Sequence, residues 1–269
     1  VVGLLAALVA LPARAQTTTT APPPPKAYVL FDADTGAVIA AANEHERRPV
    51  ASTSKILTAL VTVERLPLDA GVAVTERAAG MPARRIGLGA GQTWLAYDLL
   101  TAMLLVSAND AAAALADRIG GGPDGFAAVM AATGRRLGMT DDPVLNDPAG
   151  LDDGFSHAGG NRISAWDLAV ATRALLARDD LRAIVARPEY RFVGGDGKPH
   201  RLRNHNRLLG TYPGAIGVKT GYTRRAGRCL VAAATRGGRT IVAVVLDAPD
   251  TYGAAAALLD RGFATDPAS

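Results

Sequence analysis

The sequence predicts an α+β fold: an antiparallel sheet flanked by helices, with an inserted helical lobe. Three observations predict it. Strand-like runs stand near both ends of the chain, and helical apolar periodicity fills the middle. With 49% hydrophobic residues in a chain of 269, a sizeable core can be buried. Charged residues make up 20% and are mixed in sign, a globular rather than a disordered composition.

Each element follows in chain order. Residues 1–11 form an uncharged apolar run, followed by Pro12 and Ala13-Arg14-Ala15. This reads as the apolar and cleavage regions of a secretory signal peptide whose charged start is missing, and the run is short for a membrane span. Cleavage after Ala15 would release the protein outside the cytoplasm, and no second hydrophobic span follows. Residues 16–26 are a Thr/Pro-rich linker, extended and solvated. The folded domain is expected over residues 27–265, with a tail at 266–269.

Within the domain, residues 27–31 and 37–39 flank Asp32-Ala-Asp-Thr-Gly36 and predict a β-hairpin. Residues 52–65 carry a mostly buried helical pattern. Residues 98–106 and 111–119 read as helices separated by Ser107-Ala-Asn-Asp110. Residues 123–137 form another, with Pro123 in the first turn and Gly138 as stop. A Gly/Pro/Asp-rich loop covers 140–161. A helix over 164–176 follows, with Ser164 as cap and Asp167 at capping-box spacing. Strands are predicted at 190–193, 214–218, 228–234 and 240–246. A last helix runs over 250–261, with Gly262 as its stop.

Composition narrows the function. The net charge of +4 is scattered, so no nucleic-acid footprint is evident, although attraction to an anionic cell surface fits. The single cysteine, Cys229, excludes an intrachain disulfide and reads as a small hydrophobe in a strand. His45, His157, His200 and His205 show no metal spacing and read as surface or loop residues. No metal or other cofactor is expected. Lysine is rare: Lys26, Lys55, Lys198 and Lys219 stand among many arginines. Only lysine can lose its proton at useful pH, so each lysine is a candidate for chemistry.

Three short motifs carry that chemistry. In Ser52-Thr-Ser-Lys55, a helix start puts Ser52 and Lys55 on one face. Ser52 is a nucleophile only if a base takes its proton, and Lys55 is such a base only if its pKa is lowered. In Ser107-Ala-Asn109, between two helices, the hydroxyl can relay a proton and the amide can hold a carbonyl. In Lys219-Thr220-Gly221, at a strand end, the cation can bind a carboxylate, Thr220 adds a hydroxyl, and Gly221 permits close approach. Taken singly, each reads as readily as a cap or a turn. Taken together, in this order and context, they are specific.

That set resembles the serine β-lactamases and penicillin-binding proteins. Most closely, the chain is similar to the low-molecular-mass penicillin-binding D-alanyl-D-alanine carboxypeptidases. The likeness covers about residues 27–264. It includes Ala33-Asp-Thr-Gly36, Leu137-Gly-Met-Thr140, Asn146-Asp-Pro-Ala-Gly-Leu-Asp152, residues 164–168 and Lys219-Thr-Gly-Tyr-Thr223. The resemblance implies a serine β-lactamase/transpeptidase-like fold and removal of the terminal D-alanine from peptidoglycan stem peptides. Ser52 would be acylated, Lys55 would accept its proton, and Ser107 would return a proton to the leaving D-alanine. Asn109 would hold the substrate backbone. Lys219 would stand near Ser107, and the N–H groups of Ser52 and Tyr222 would form the oxyanion hole. Thr220 and Thr223 would help hold the terminal carboxylate. β-Lactam antibiotics would acylate Ser52 as covalent inhibitors.

Some features depart from the pattern. Ser54 stands where the family commonly has Thr. His205 and Arg207 lie where some members place a substrate-facing Arg, and Arg224 and Arg225 add charge after the third motif. Three rivals differ in chemistry. A class A β-lactamase needs a glutamate-activated water, and between the second and third motifs only Glu189 is available. A D,D-endopeptidase would share the whole fold. A non-catalytic cell-wall-binding protein would not be expected to keep Ser52, Lys55 and Lys219 together.

Overall fold

In a computed structural model, the structure describes residues 23–82, 84–152 and 155–265. The expected leader, residues 16–22 of the linker and the tail at 266–269 lie outside the described residues.

The chain enters as the predicted hairpin, β1 (Ala27–Asp32) and β2 (Val38–Ala42). Asp32 turns the corner by accepting from the N–H groups of Asp34 and Thr35, and Gly36 takes φ +81°. A short β3 (Arg48–Pro49) leads into a 3-10 turn, Ala51–Ser54, which runs into α1 (Lys55–Arg65). The helix expected over 52–65 is therefore two pieces, and Ser52 sits in the tighter one.

A lobe follows. It comprises β4 (Gly71–Ala73), α2 (Glu76–Ala79), β5 (Thr93–Leu95), α3 (Ala96–Leu105), α4 (Asn109–Gly120) and α5 (Pro123–Leu137). Gly138 ends α5 at φ +84°, as its sequence position predicts. Next, β6 (Arg162–Ile163) pairs with β3 and precedes α6 (Ala165–Leu176). Ser164 caps α6 by accepting from Asp167 N at 3.0 Å. Asp167 does not complete the box but turns toward Asp141 N. Then come α7 (Asp179–Val185) and the hairpin β7 (Glu189–Val193) and β8 (Pro199–Arg203). The chain closes with β9 (Ala215–Thr223), β10 (Gly227–Arg236), β11 (Arg239–Leu246) and α8 (Thr251–Ala264).

The main sheet is antiparallel in the order β2-β1-β11-β10-β9, so the two ends of the chain meet at β1 and β11. Its period of two separates the core into two layers. Val29, Phe31, Val231, Val242 and Val244 face α1, α6 and the helical lobe. Leu30, Leu230, Ala232, Ile241 and Val245 face Ala255 and Leu259 of α8. Gly262, expected as a helix stop, instead lies inside α8. A Cβ there would stand 2.5 Å from Ile241 Cγ2, so the glycine lets the helix settle on the sheet. Cys229 is buried in β10, and burial pushes its thiol up to about 12. His200 is half-buried: it stacks on Phe192 of the same β7–β8 hairpin at 5.2 Å and meets Trp94 of β5 at 5.1 Å.

Candidate active site

The 3-10 turn delivers Ser52. Ala51 before it holds φ +50°, an unfavourable backbone for a residue with a Cβ. Local hydroxyls occupy the turn's carbonyls: Thr53 donates to Val50 O at 2.6 Å, and Ser54 donates to Ala51 O at 3.1 Å. Ser54 therefore still makes a hydrogen bond from the position where Thr is common. Across the turn, Gly150 has φ +69°, and a Cβ on it would stand 2.2 Å from Ala51 O. That contact lets the 146–152 segment lie directly on the nucleophile turn.

Buried polar groups fix this segment. Asp147 accepts from the N–H groups of Ala149, Leu151 and His157. Asn161 accepts from Asn146 N and Asp147 N and donates to Asp147 O. The outcome is a carbonyl, Ala149 O, presented to Lys55.

Lys55 is fully buried at the start of α1. Its Nζ lies 2.9 Å from Ser52 Oγ and 2.8 Å from Asn109 Oδ1, and it also bonds Ala149 O. Burial pushes its pKa down to about 7. Arg84 adds to that shift, while Asp147 and Asp110 oppose it. The amine is therefore neutral in a large share of molecules at neutral pH. Of its three partners, Asn109 Oδ1 and Ala149 O can only accept, so the Ser52 hydroxyl is the one proton source in reach. Lys219, also buried, donates to Thr220 O at 2.9 Å, and its pKa is held far below the ordinary range by burial and by Lys55.

A cavity of about 210 Å³ opens before these groups. Ser52, Ser107, Asn109, Thr220, Gly221, Tyr222 and Thr223 line it, as does Arg84. Lys55 and Lys219 stand behind its wall. Ser107 holds φ +65° between α3 and α4, and Asn109 is the first residue of α4 rather than a loop residue. Its Nδ2 donates to Pro82 O at 3.2 Å. The third motif does not follow a strand but lies within β9. Pairing of Thr220 with Leu230 and of Tyr222 with Arg228 carries the strand through it. β9 is the sheet's outer strand, free to pair with an extended peptide. Gly221 passes close to the nucleophile turn: a Cβ there would be 3.1 Å from Val50 O and 3.2 Å from Ser52 N.

The structure brings every sequence-predicted site residue to this one place. Other residues fall elsewhere. Arg207 lies over the Tyr252 ring at 4.3 Å, away from the cavity. Arg225 N donates to Asp152 Oδ2 at 2.9 Å. Glu189 is ion-paired on the β7–β8 hairpin with Arg191, Arg201 and Arg203, and does not line the cavity. Hydrogen bonds from Arg191 and Arg201 hold its carboxyl down at about 2. Sequence reasoning missed Arg84, Asn161 and the Ala149 carbonyl. The 146–152 run marked the segment that carries the Ala149 carbonyl, and nothing marked Asn161 or Arg84. Among the described residues, no group of three or more His, Cys, Asp or Glu could hold a metal.

Comparison with known proteins agrees with this geometry. A family profile described as D-alanyl-D-alanine carboxypeptidase matches residues 15–250. A curated D-alanyl-D-alanine carboxypeptidase of Mycobacterium tuberculosis is 37% identical over 246 residues, covering 89% of this chain and 82% of the relative. The crystal structure of a D-alanyl-D-alanine carboxypeptidase from Mycobacterium tuberculosis superposes with a TM-score of 0.84 at 35% identity, over 93% of this chain and 96% of that one. Penicillin-binding protein D2 from Listeria monocytogenes, solved in its ampicillin-bound form, gives a TM-score of 0.77 at 28% identity, over 89% of this chain and 97% of that one.

Proposed function

We propose, from the premise that the chain belongs to the D-alanyl-D-alanine carboxypeptidase family of serine peptidases, that this cavity removes the terminal D-alanine from peptidoglycan stem peptides through an acyl-enzyme on Ser52. The observation that carries the reading is the buried Lys55 amine, 2.9 Å from Ser52 Oγ, behind a cavity that also holds Ser107.

The steps follow from the residues' chemistry. Neutral Lys55 takes the Ser52 proton as Oγ attacks the carbonyl between the two D-alanines. The N–H groups of Ser52 and Tyr222 stabilise the developing oxyanion. Asn109 and the edge of β9 hold the peptide extended. On collapse, the C–N bond breaks and the departing amine receives a proton through Ser107, with Lys219 beside it. Water then attacks the ester, releasing the shortened peptide and restoring Ser52. A β-lactam enters the same first step, because its strained amide meets the same nucleophile. Glu189 is remote and ion-paired, so no glutamate activates the deacylating water and the drug adduct is long-lived.

The same reading puts the enzyme in the cell envelope, where its substrate is. Among the described residues, no helix is long and apolar enough to cross a membrane.

The test is intact-protein mass over time with excess benzylpenicillin, followed by mapping of the modified peptide. D-alanine release from an N-acylated L-Lys-D-Ala-D-Ala peptide is measured in parallel. A lasting single adduct on Ser52 with D-alanine release is expected. Absence of both adduct and drug loss would sink the catalytic reading. Fast drug loss without a lasting adduct would move it to β-lactamase chemistry.

A further inference from the structure

The β7–β8 hairpin has two unlike faces. Inward, Tyr190, Phe192, His200 and Leu202 pack toward the helical lobe. Phe192 and His200 meet the Trp94 ring at 6.1 Å and 5.1 Å, and the Tyr190 hydroxyl donates to Asp98 of α3 at 2.7 Å. In the connecting turn, Gly194 and Gly195 lie so close to Thr93 and Trp94 that neither has room for a Cβ. These contacts fix the direction in which the other face points.

The period of two puts Glu189, Arg191 and Val193 of β7 on that outer face, with Pro199, Arg201 and Arg203 of β8. The register sets Glu189 opposite Arg203, Arg191 opposite Arg201 and Val193 opposite Pro199. Like charges directly opposite each other destabilise a sheet unless something offsets them. Here Glu189 is the offset. It accepts from Arg191 Nε and Arg201 Nε at 2.6 Å each, and lies 3.5 Å from Arg203 Nε. One carboxylate thus serves three guanidiniums. The three arginine side chains remain 49%, 67% and 73% exposed, with N–H groups to spare for a further anion.

The charge is concentrated here. Residues 187–203 hold four Arg and one Lys against two acids, so they carry three of the chain's four net positive charges. The second acid, Asp196, is turned in toward His200 and the N–H of Lys198, at 3.1 Å and 3.0 Å. It does not face the arginines. Such a face attracts anions. Its neighbours point to a bilayer as the anion's source. Val193, 67% exposed, stands with Pro199 on the rung next to the Arg191–Arg201 pair. Apolar side chains beside arginines suit a lipid interface, where the apolar groups seat among headgroups and the guanidiniums reach phosphates. A soluble polyanion would gain nothing from an exposed valine.

We propose that the outer face of the β7–β8 hairpin docks on a bilayer surface, with Arg191, Arg201 and Arg203 against anionic phospholipid headgroups and Val193 seated among them. None of these residues lines the catalytic cavity, so the docking stands apart from the carboxypeptidase reading.

The test mixes the full chain with vesicles of phosphatidylglycerol and phosphatidylcholine in equal parts, or of phosphatidylcholine alone, and reads the bound fraction by sedimentation. Residues 1–11 are present in every variant, and the neutral vesicles register what that apolar run contributes. Preference for the anionic vesicles is expected, and it should vanish at about 0.5 M salt. Replacing Arg191, Arg201 and Arg203 together by Gln should lower the partition coefficient on anionic vesicles about thirty- to hundredfold. Glu189→Gln should raise it about fivefold, a gain that a damaged fold would not produce. Val193→Ser should lower it about three- to tenfold. Far-UV circular dichroism checks that each variant is folded. A wild-type chain without preference for the anionic vesicles, or a triple variant that keeps it, would overturn the proposal. Loss in the triple variant with no change in Val193→Ser would mean that the face reads charge alone. That result would assign it to a soluble polyanion and overturn docking on a bilayer.

Discussion

Lowering the pH should switch off acylation of Ser52 by protonating Lys55, with a midpoint near neutrality. An ordinary lysine, with pKa about 10.4, leaves roughly one amine in 2,500 neutral at pH 7. Burial brings Lys55 to about 7, so about half are neutral there, a gain on the order of a thousandfold. The sign follows from the charge. The reactive form lacks the proton, so activity is present above the folded pKa and lost as pH falls through it. The neutral fraction is about one-tenth at pH 6 and about one-hundredth at pH 5. Charged groups on every side of Lys55 set the position: Asp147 and Asp110 pull the pKa up, Arg84 pushes it down, and Lys219 stands close enough to be lowered in turn. The assay is the second-order rate of benzylpenicillin adduct formation, quenched at intervals and read by intact mass between about pH 5 and pH 9. The rate should rise about tenfold per pH unit below the midpoint and level off above it. A rate that is flat across this range would refute neutral Lys55 as the base.

Three further outcomes follow from the same contacts. Gly150→Ala puts a Cβ 2.2 Å from Ala51 O at a φ of +69°, so urea unfolding should show a loss of about 2–4 kcal/mol, and acylation should slow with it. Ser107→Ala should lower kcat for peptide hydrolysis by about 10²–10³-fold while leaving the far-UV circular dichroism unchanged. Lys55→Met should abolish acylation and lessen the pH dependence of stability, leaving the part that buried Lys219 contributes. Since the folded pKa lies below the unfolded one, the unfolded chain binds more protons between about pH 7 and pH 10, and wild-type stability rises across that window. Urea titrations at both ends of the window measure the slope, and an unchanged slope in the variant would contradict the buried-amine account.

Much of the site was legible because its chemistry depends on residue type at short spacing. Ser52 and Lys55 meet through a three-residue offset, and α5 runs from Pro123 to Leu137 because Pro and Gly mark its ends in any context. What was not legible depends on tertiary partners. Thr220-Gly221-Tyr222 has the composition of a strand end, yet pairing with β10 carries the strand through it. β8, Pro199–Arg203, has no apolar alternation, because only Leu202 among its residues is buried. Gly262 reads as a stop, but the sheet surface at Ile241 needs it inside the helix. Ala149 contributes a carbonyl that any residue would carry, so nothing in its identity could mark it. Arg84 becomes distinct only once the loop between β4 and β5 is seen to close over α4.

Burial explains how three cations can stand close together around one site. Lys55, Lys219 and Arg84 would repel one another if all were charged in one small cavity. Burial resolves this unequally. The two amines lose proton affinity because water is excluded from them, while the exposed guanidinium keeps its charge. Each group therefore depends on the others. Arg84 helps hold Lys55 in its neutral, proton-accepting form, and depressed amines leave Arg84 as the fixed positive charge that lines the cavity.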